Sequence, residues 1–190
     1  EDTMSHGYRW VPIFKLSQGG ELEWIKYIGN FENDFYQGMQ GSLIERNWNY
    51  YLAGNKVYYS PDYHHNGLLL KFNHDFDTIW SKEYKGDLIK PYDSNLLLNN
   101  MNVYDNSDLL LTGELYTGEL PSKVALLRTD SNGVLKFTKC YGNQGINIGH
   151  SIMQSSDNGI VIGGYWYVPG SKTNTGDPIV MKFDSTGNKK

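Results

Sequence analysis

Apolar and polar residues alternate along most of the chain in short runs, and clusters of Gly, Asn, Asp and Ser divide the runs. The stretch LRTDSNGVLKFTKCYG (127–142) shows the form, with two alternating runs about a D-S-N-G turn. A period of two predicts half-buried strands, and the turn residues predict hairpins. LLLK at 68–71 and IVIGG at 160–164 are nearly continuous in apolar residues, the pattern of strands covered on both faces. No segment keeps a 3.6-residue period for three turns with caps, so no helix is predicted.

The pattern recurs. FKLSQGGELEWIKYIG (14–29), LKFNHDFDTIWSKEYKG (70–86) and MKFDSTGNKK (181–190) align with 127–142. Lys71 follows Lys15, and Trp80 follows Trp24, by 56 residues; Arg128 follows Lys71, and Phe137 follows Trp80, by 57; Lys182 follows Arg128 by 54. Each unit reads as four strands. In the last one, HSIMQSSDNG is strand one with its turn, IVIGGYW strand two, YVPGSKTNTGD a long connection and PIVMKFDSTG strand three; strand four appears earlier as VLKFTKCYG and LEWIKYIG. Gly54, Gly113 and Gly164 close the second strand of each unit, where a small residue lets a neighbour approach.

A recurring unit of four antiparallel strands predicts an all-β, propeller-like array of blades, each hiding its apolar face on the next. The units fall at 8–29 (partial), about 38–86, 95–142 and 149–190, a single propeller-type domain or a fragment of one. About three blades lie below the usual minimum of ~4. The expectation is therefore an incomplete ring, with the rest of a longer chain or a partner covering open edges. Trp24, Trp80 and Phe137 are expected at corresponding, partly buried places on strand four.

The motif SIMQSSDNGIVIGGY…IVMKFDSTGN, with LKFTKCYGN before it, resembles the repeats of secreted bacterial β-propellers of the Bacteroidetes type, SxxxTxDGGYxxxG…KxDxxGxxxWxKxYG. The chain departs from them at LIERNWNYYLAG, which lacks Asp-Gly, and at FNHDFD, where Phe76 replaces Gly. The resemblance implies a secreted or cell-surface protein of the kind carried by type IX secretion, in which such repeats are often followed by a C-terminal sorting domain; none is read within residues 1–190.

Composition narrows the function. The net charge of −4 carries no run of five like charges, which argues against nucleic acid and against a polybasic membrane patch. No apolar run reaches the ~18 residues of a membrane span. The sole cysteine, Cys140, excludes an internal disulfide framework and reads as a small packed strand residue. No signal peptide is visible, and the start at Glu1 suits a mature or trimmed product. Aromatic residues reach 14 %, a level that fits strands and binding faces better than helices.

The D-S-N-G and D-S-T-G turns offer two or three oxygen ligands where calcium wants about six, so they read as hairpin caps. His64-His65 with Asp62 is the most metal-like cluster, but adjacent residues of an extended chain point apart and the spacing matches no zinc motif. No metal and no cofactor are expected. No nucleophile elbow, HExxH, P-loop or CxxC occurs.

Antiparallel order sends the tight turns to one end of each blade and the long connections, at 28–38, 55–67, 85–95, 114–122, 142–149 and 165–178, to the other. Function concentrates on such loops. Phe31, Phe35, Tyr58, Tyr59, Tyr63, Tyr92, Tyr116, Trp166 and Tyr167 lie there, with Asn30, Asp34, Asn66, Asp93, Asn143 and Asn174 as polar neighbours. Rings flanked by amides suit a sugar or a peptide, and also loop-on-blade packing. The candidate ligand residues are Phe31, Tyr58, Tyr59, Tyr63, Tyr92, Tyr116, Trp166 and Tyr167. The leading reading is a binding or interaction module for a glycan or protein. The alternatives are a carbohydrate-active hydrolase, with acids such as Asp34, Glu45, Asp87 and Asp93 meeting near the axis, and a structural spacer of a larger surface protein.

Overall fold

A computed structural model of the protein describes residues 11–28, 35–58, 64–86, 94–116, 121–142, 144–170 and 176–190. The described residues are all-β, with no α-helix among them. Their strands, in order, are β1 (Val11–Leu16), β2 (Leu22–Ile28), β3 (Phe35–Arg46), β4 (Asn49–Tyr58), β5 (His64–Phe72), β6 (Thr78–Tyr84), β7 (Asn95–Tyr104), β8 (Asp108–Tyr116), β9 (Lys123–Thr129), β10 (Leu135–Tyr141), β11 (Ile146–Gln154), β12 (Ile160–Tyr167) and β13 (Asp177–Phe183). They form four antiparallel meanders: β1–β2, β3–β4–β5–β6, β7–β8–β9–β10 and β11–β12–β13. None of these sheets closes on itself.

The sheets stack face to face. β7 lies against β3, β4 and β5, and β11 lies against β7, β8 and β9. Each gap between sheets holds an apolar layer. Ile13 meets Leu52, Leu68, Leu70 and Phe72 in the first. Tyr51, Ala53 and Leu69 meet Leu109, Leu111, Ala125 and Leu127 in the second. Leu110, Val124 and Leu126 meet Ile160, Ile162, Met181 and Phe183 in the third. Leu109, Leu110 and Leu111 are all fully buried because alternate side chains of β8 enter opposite layers. That is why the central strands read as unbroken apolar runs. Each such leucine contributes about 1.5–3 kcal/mol relative to an exposed one.

Trp24 pairs with Lys15, Trp80 with Lys71 and Phe137 with Arg128, so the three rings hold the same register on β2, β6 and β10. All three are half-buried. A second shared device sits on the first strand of each larger sheet. Register shifts follow Gly38, Leu98 and Gly149, directly after their pairing with Gly54, Gly113 and Gly164. At these bulges the first strand presses on the second. A Cβ on Gly113 would stand 1.8 Å from the Leu97 carbonyl oxygen, and one on Gly164 would stand 1.9 Å from that of Ile148. The close approach thus comes from the adjacent strand of the same sheet.

The turns follow their side chains. Asp130 Oδ1 accepts from the backbone N–H of Asn132 and Val134, both at 2.8 Å, and Asp184 Oδ1 accepts from those of Thr186 (2.9 Å) and Asn188 (2.7 Å). Asn73 caps the NHDF turn in the same way. Gly133 and Gly187 take the positive φ of these turns, and Phe76 takes it where Gly is missing (φ 58°). Phe76 is held there by stacking on Tyr50, with centroids 4.0 Å apart, and by the edge of Trp24 at 5.1 Å. Where Gly is present, the next layer uses the turn differently: the hydroxyls of Tyr84 and Tyr141, the last residues of β6 and β10, donate to the carbonyls of Gly133 and Gly187 in the following sheet. The β3–β4 hairpin turns on Asn47 (φ 50°) and Trp48 (φ 61°), a two-residue loop with both central residues left-handed.

Candidate binding groove

β13 pairs with β12 on one side, and at its end Phe183 bridges Lys189 on the other, where the Lys190 N–H donates to the Lys182 carbonyl at 3.0 Å. Along β13 lies a groove of about 690 Å³. Tyr141 from the end of β10 forms one wall, Trp166 from the end of β12 another, and Pro178 to Met181 of β13 the floor; Gln144 and Asn147 line the mouth. The Trp166 indole N–H donates to the Gln144 carbonyl at 2.6 Å, which fixes the ring while leaving it about one-third exposed. Asn147 is anchored by β9's approach: its N–H donates to Ser122 Oγ at 3.0 Å, and its side-chain amide donates to the Ser122 carbonyl at 2.9 Å. Burial pushes the Tyr141 phenol up to about 12, with Cys140 and Asp184 adding to the shift, so it stays a neutral donor to Gly187. Two fixed rings with the exposed Gln144 side chain beside them can bind by stacking and hydrogen bonding, and Lys189 adds a charge to the lining.

Tyr58 and the His pair belong to a separate cluster at the same end. Glu83 accepts from Lys56 (2.8 Å), Tyr58 (2.6 Å) and Asn66 (3.0 Å). Burial acts to raise the Glu83 carboxyl, and these three donors more than offset it, holding the group below its usual range. The Tyr58 ring stacks on His64 with centroids 4.6 Å apart and planes 8° from parallel. His65 faces away, as alternation on β5 demands. Its backbone N–H donates to Asn95 at 2.6 Å, and burial, with His64 beside it, depresses its imidazole. On the neighbouring sheet, burial raises the Glu114 carboxyl against a hydrogen bond from Ser122.

Of the ring candidates, Phe31, Tyr59, Tyr63 and Tyr92 lie outside the described residues, as do Asn30, Asp34, Asp62, Asp87, Asp93, Asn143 and Asn174. Tyr58, Tyr116, Trp166 and Tyr167 end strands rather than occupying loops, because the ladders of β4, β8 and β12 run further than their turn residues suggest. Tyr116 is exposed at the end of β8. Tyr167 pairs with Ile146 and, with Tyr165 and Gly176, lines a shallower hollow apart from Trp166, since successive strand residues point oppositely. Glu45 is exposed near the tight-turn end, opposite the groove, and Phe35 begins β3. Cys140 is half-buried on β10 opposite Ala125.

Two features carried no signal that sequence reasoning used. Tyr141 joins Trp166 only through the stacking of two sheets, whereas Gln144 reaches it through the pairing of β11 with β12. Trp48, at 75 % exposure, projects from the tight-turn end with its ring 6.1 Å from His74. Among the described residues no group of three His, Cys, Asp or Glu side chains gathers at metal-binding distance. No helix among them is long and apolar enough to cross a membrane.

No family model matches the chain, and no curated protein matches it. Among solved structures it is similar to a crystal structure of a protein of unknown function from Bacteroides caccae, at 10 % identity and a TM-score of 0.37, over 92 % of this chain and 71 % of that one.

Proposed function

We propose that the chain is a propeller-type binding module, secreted or held at a cell surface, that takes a glycan or protein ligand at the end where its long connections gather. The blade-like reading is supported by four-stranded meanders stacked through their first strands. The secreted setting rests on the motif resemblance. The observation that carries the ligand reading is the groove beside β13, in which Trp166 and Tyr141 are pinned by hydrogen bonds and flanked by Gln144 and Lys189. Rings held before a ligand arrives lose little entropy on binding. Glu83, by contrast, is engaged by three donors and serves the packing of its own sheet.

A glycan and peptide array probed with the purified chain, followed by calorimetry on the best ligand, tests this. Trp166→Ala is expected to weaken binding at least tenfold, equivalent to about 1.4 kcal/mol, with an unchanged unfolding midpoint. Array silence, or a ligand bound equally well by Trp166→Ala, refutes the groove. Turnover of a glycan on the array would move the reading to the hydrolase.

A further inference from the structure

Lys56 on β4 and Asn66 on β5 are register partners, so their side chains lie side by side on one face of the sheet. Both reach the same carboxylate. Lys56 Nζ donates to Glu83 Oε1 at 2.8 Å, and Asn66 Nδ2 donates to Glu83 Oε2 at 3.0 Å. The set is largely withdrawn from water: the Lys56 side chain is 13 % exposed and Asn66 is 4 % exposed. Tyr58 joins it, with its hydroxyl on Glu83 Oε2 and its ring centre 5.0 Å from Lys56 Nζ. The stacking of the sheets does not require this arrangement. The same register places in the next sheet hold Leu115, Lys123 and Cys140. An amine, a carboxamide and a carboxylate that touches both are the parts of an acyl transfer: nucleophile, acyl donor and proton carrier.

We infer that Lys56 and Asn66 join in an intramolecular amide bond, with Glu83 carrying the protons. The Lys56 ammonium passes a proton to Glu83 Oε1, and the freed amine attacks Asn66 Cγ. The Nζ–Cγ bond forms, and the Cγ–Nδ2 bond breaks as Glu83 Oε2 delivers its proton to Nδ2. Nζ gives up two protons in all. The leaving nitrogen takes them and departs as ammonium, and Glu83 ends as the carboxylate it began as. No oxidant, reductant or further reactant is consumed. The three donors hold the Glu83 carboxyl below its usual range, which makes it a weak base and the reaction slow. Fixing amine and amide on one carboxylate works the other way, because it replaces a chance encounter with a held one. The bond ties β4 to β5 near the Tyr58–His64 pair that ends their ladder. It stands apart from the groove beside β13, and its test uses no ligand.

The purified chain, kept folded at neutral pH and then denatured for mass spectrometry, is expected to be lighter than its sequence by one ammonia. Trypsin is expected to release 47–71 as a single looped peptide, because the Lys56 side chain is no longer a free amine. Lys56→Arg keeps a cation on Glu83 and is expected at full mass. Glu83→Gln is expected to lose ammonia at least about a hundredfold more slowly. Asn66 precedes Gly67, and a succinimide at that pair also releases ammonia. Ammonia loss that persists in Lys56→Arg, or a light wild-type chain still cut after Lys56, therefore overturns the inference. A wild-type chain at full mass overturns it without any variant. Lys56→Met repeats the comparison if Lys56→Arg lowers the unfolding midpoint.

Discussion

Gly163 and Gly164 are adjacent on β12, and the structure assigns them opposite sensitivities. A Cβ at Gly164 would stand 1.9 Å from the Ile148 carbonyl oxygen, 3.0 Å from its carbonyl carbon and 3.2 Å from the Gly149 Cα. An ordinary C···O contact is ~3.3 Å, so β11 would have to withdraw by about 1.4 Å. Everything in the way is backbone, held by the Gly149–Gly164 pairing at the bulge, and no rotamer change relieves it. At Gly163 the Cβ would meet the Ser151 hydroxyl alone, at 2.6 Å, and that side chain can rotate away. Gly164→Ala is expected to destabilise by about 2–4 kcal/mol, the range of severe backbone conflicts. Gly163→Ala is expected to stay within about 1 kcal/mol of wild type, since reduced freedom of the unfolded chain offsets the adjustment. With a urea slope of ~2 kcal/mol/M for a chain of this size, the Gly164 variant moves the midpoint down by roughly 1–2 M, and the Gly163 variant by less than about 0.5 M. Urea unfolding followed by Trp fluorescence and far-UV circular dichroism measures both. Equal midpoints for the two variants, or a harmless Gly164→Ala, would refute the bulge as the reason for glycine there.

Two further outcomes come from the tight-turn end. Asp108 accepts from Arg128 and Lys136, each at 2.7 Å. Burial acts to raise its carboxyl, and the two cations more than offset that, so its folded value lies below the ordinary one. A depressed carboxylate contributes stability that is fully present above its unfolded value of ~3.9 and is lost as pH falls through the folded value. Asp108→Asn is therefore expected to cost about 1–2 kcal/mol at pH 7 and to flatten the stability profile below pH ~4, as measured by urea titrations at stepped pH. Trp48 holds a left-handed φ of 61° at an exposed turn position. Trp48→Gly, which creates the favoured Asn-Gly hairpin turn, is expected to stabilise by about 1 kcal/mol, and a lower thermal midpoint would count against the strain.

Alternation, turn residues and the Lys–Trp offsets are local signals. Strand identity, hairpin order and the shared register of Trp24, Trp80 and Phe137 were legible from them, because antiparallel neighbours joined by short turns inherit their pairing from the chain. The D-S-N-G stretch was legible as a turn for the same reason, since Asp130 reaches only the backbone two and four residues on. Glycine at 54, 113 and 164 was legible as a close approach, but what approaches was not. The answer depends on bulges in β3, β7 and β11, which pairing across strands creates. The ring candidates were placed in loops because turn residues mark where a ladder is permitted to stop, not where it does stop; Tyr58, Tyr116 and Trp166 remain paired. The groove was beyond the sequence altogether. Tyr141 and Trp166 are 25 residues apart on different sheets, and which rings meet is decided by how one apolar layer seats the next, a non-directional attraction whose geometry is fixed only by the packing of the whole stack.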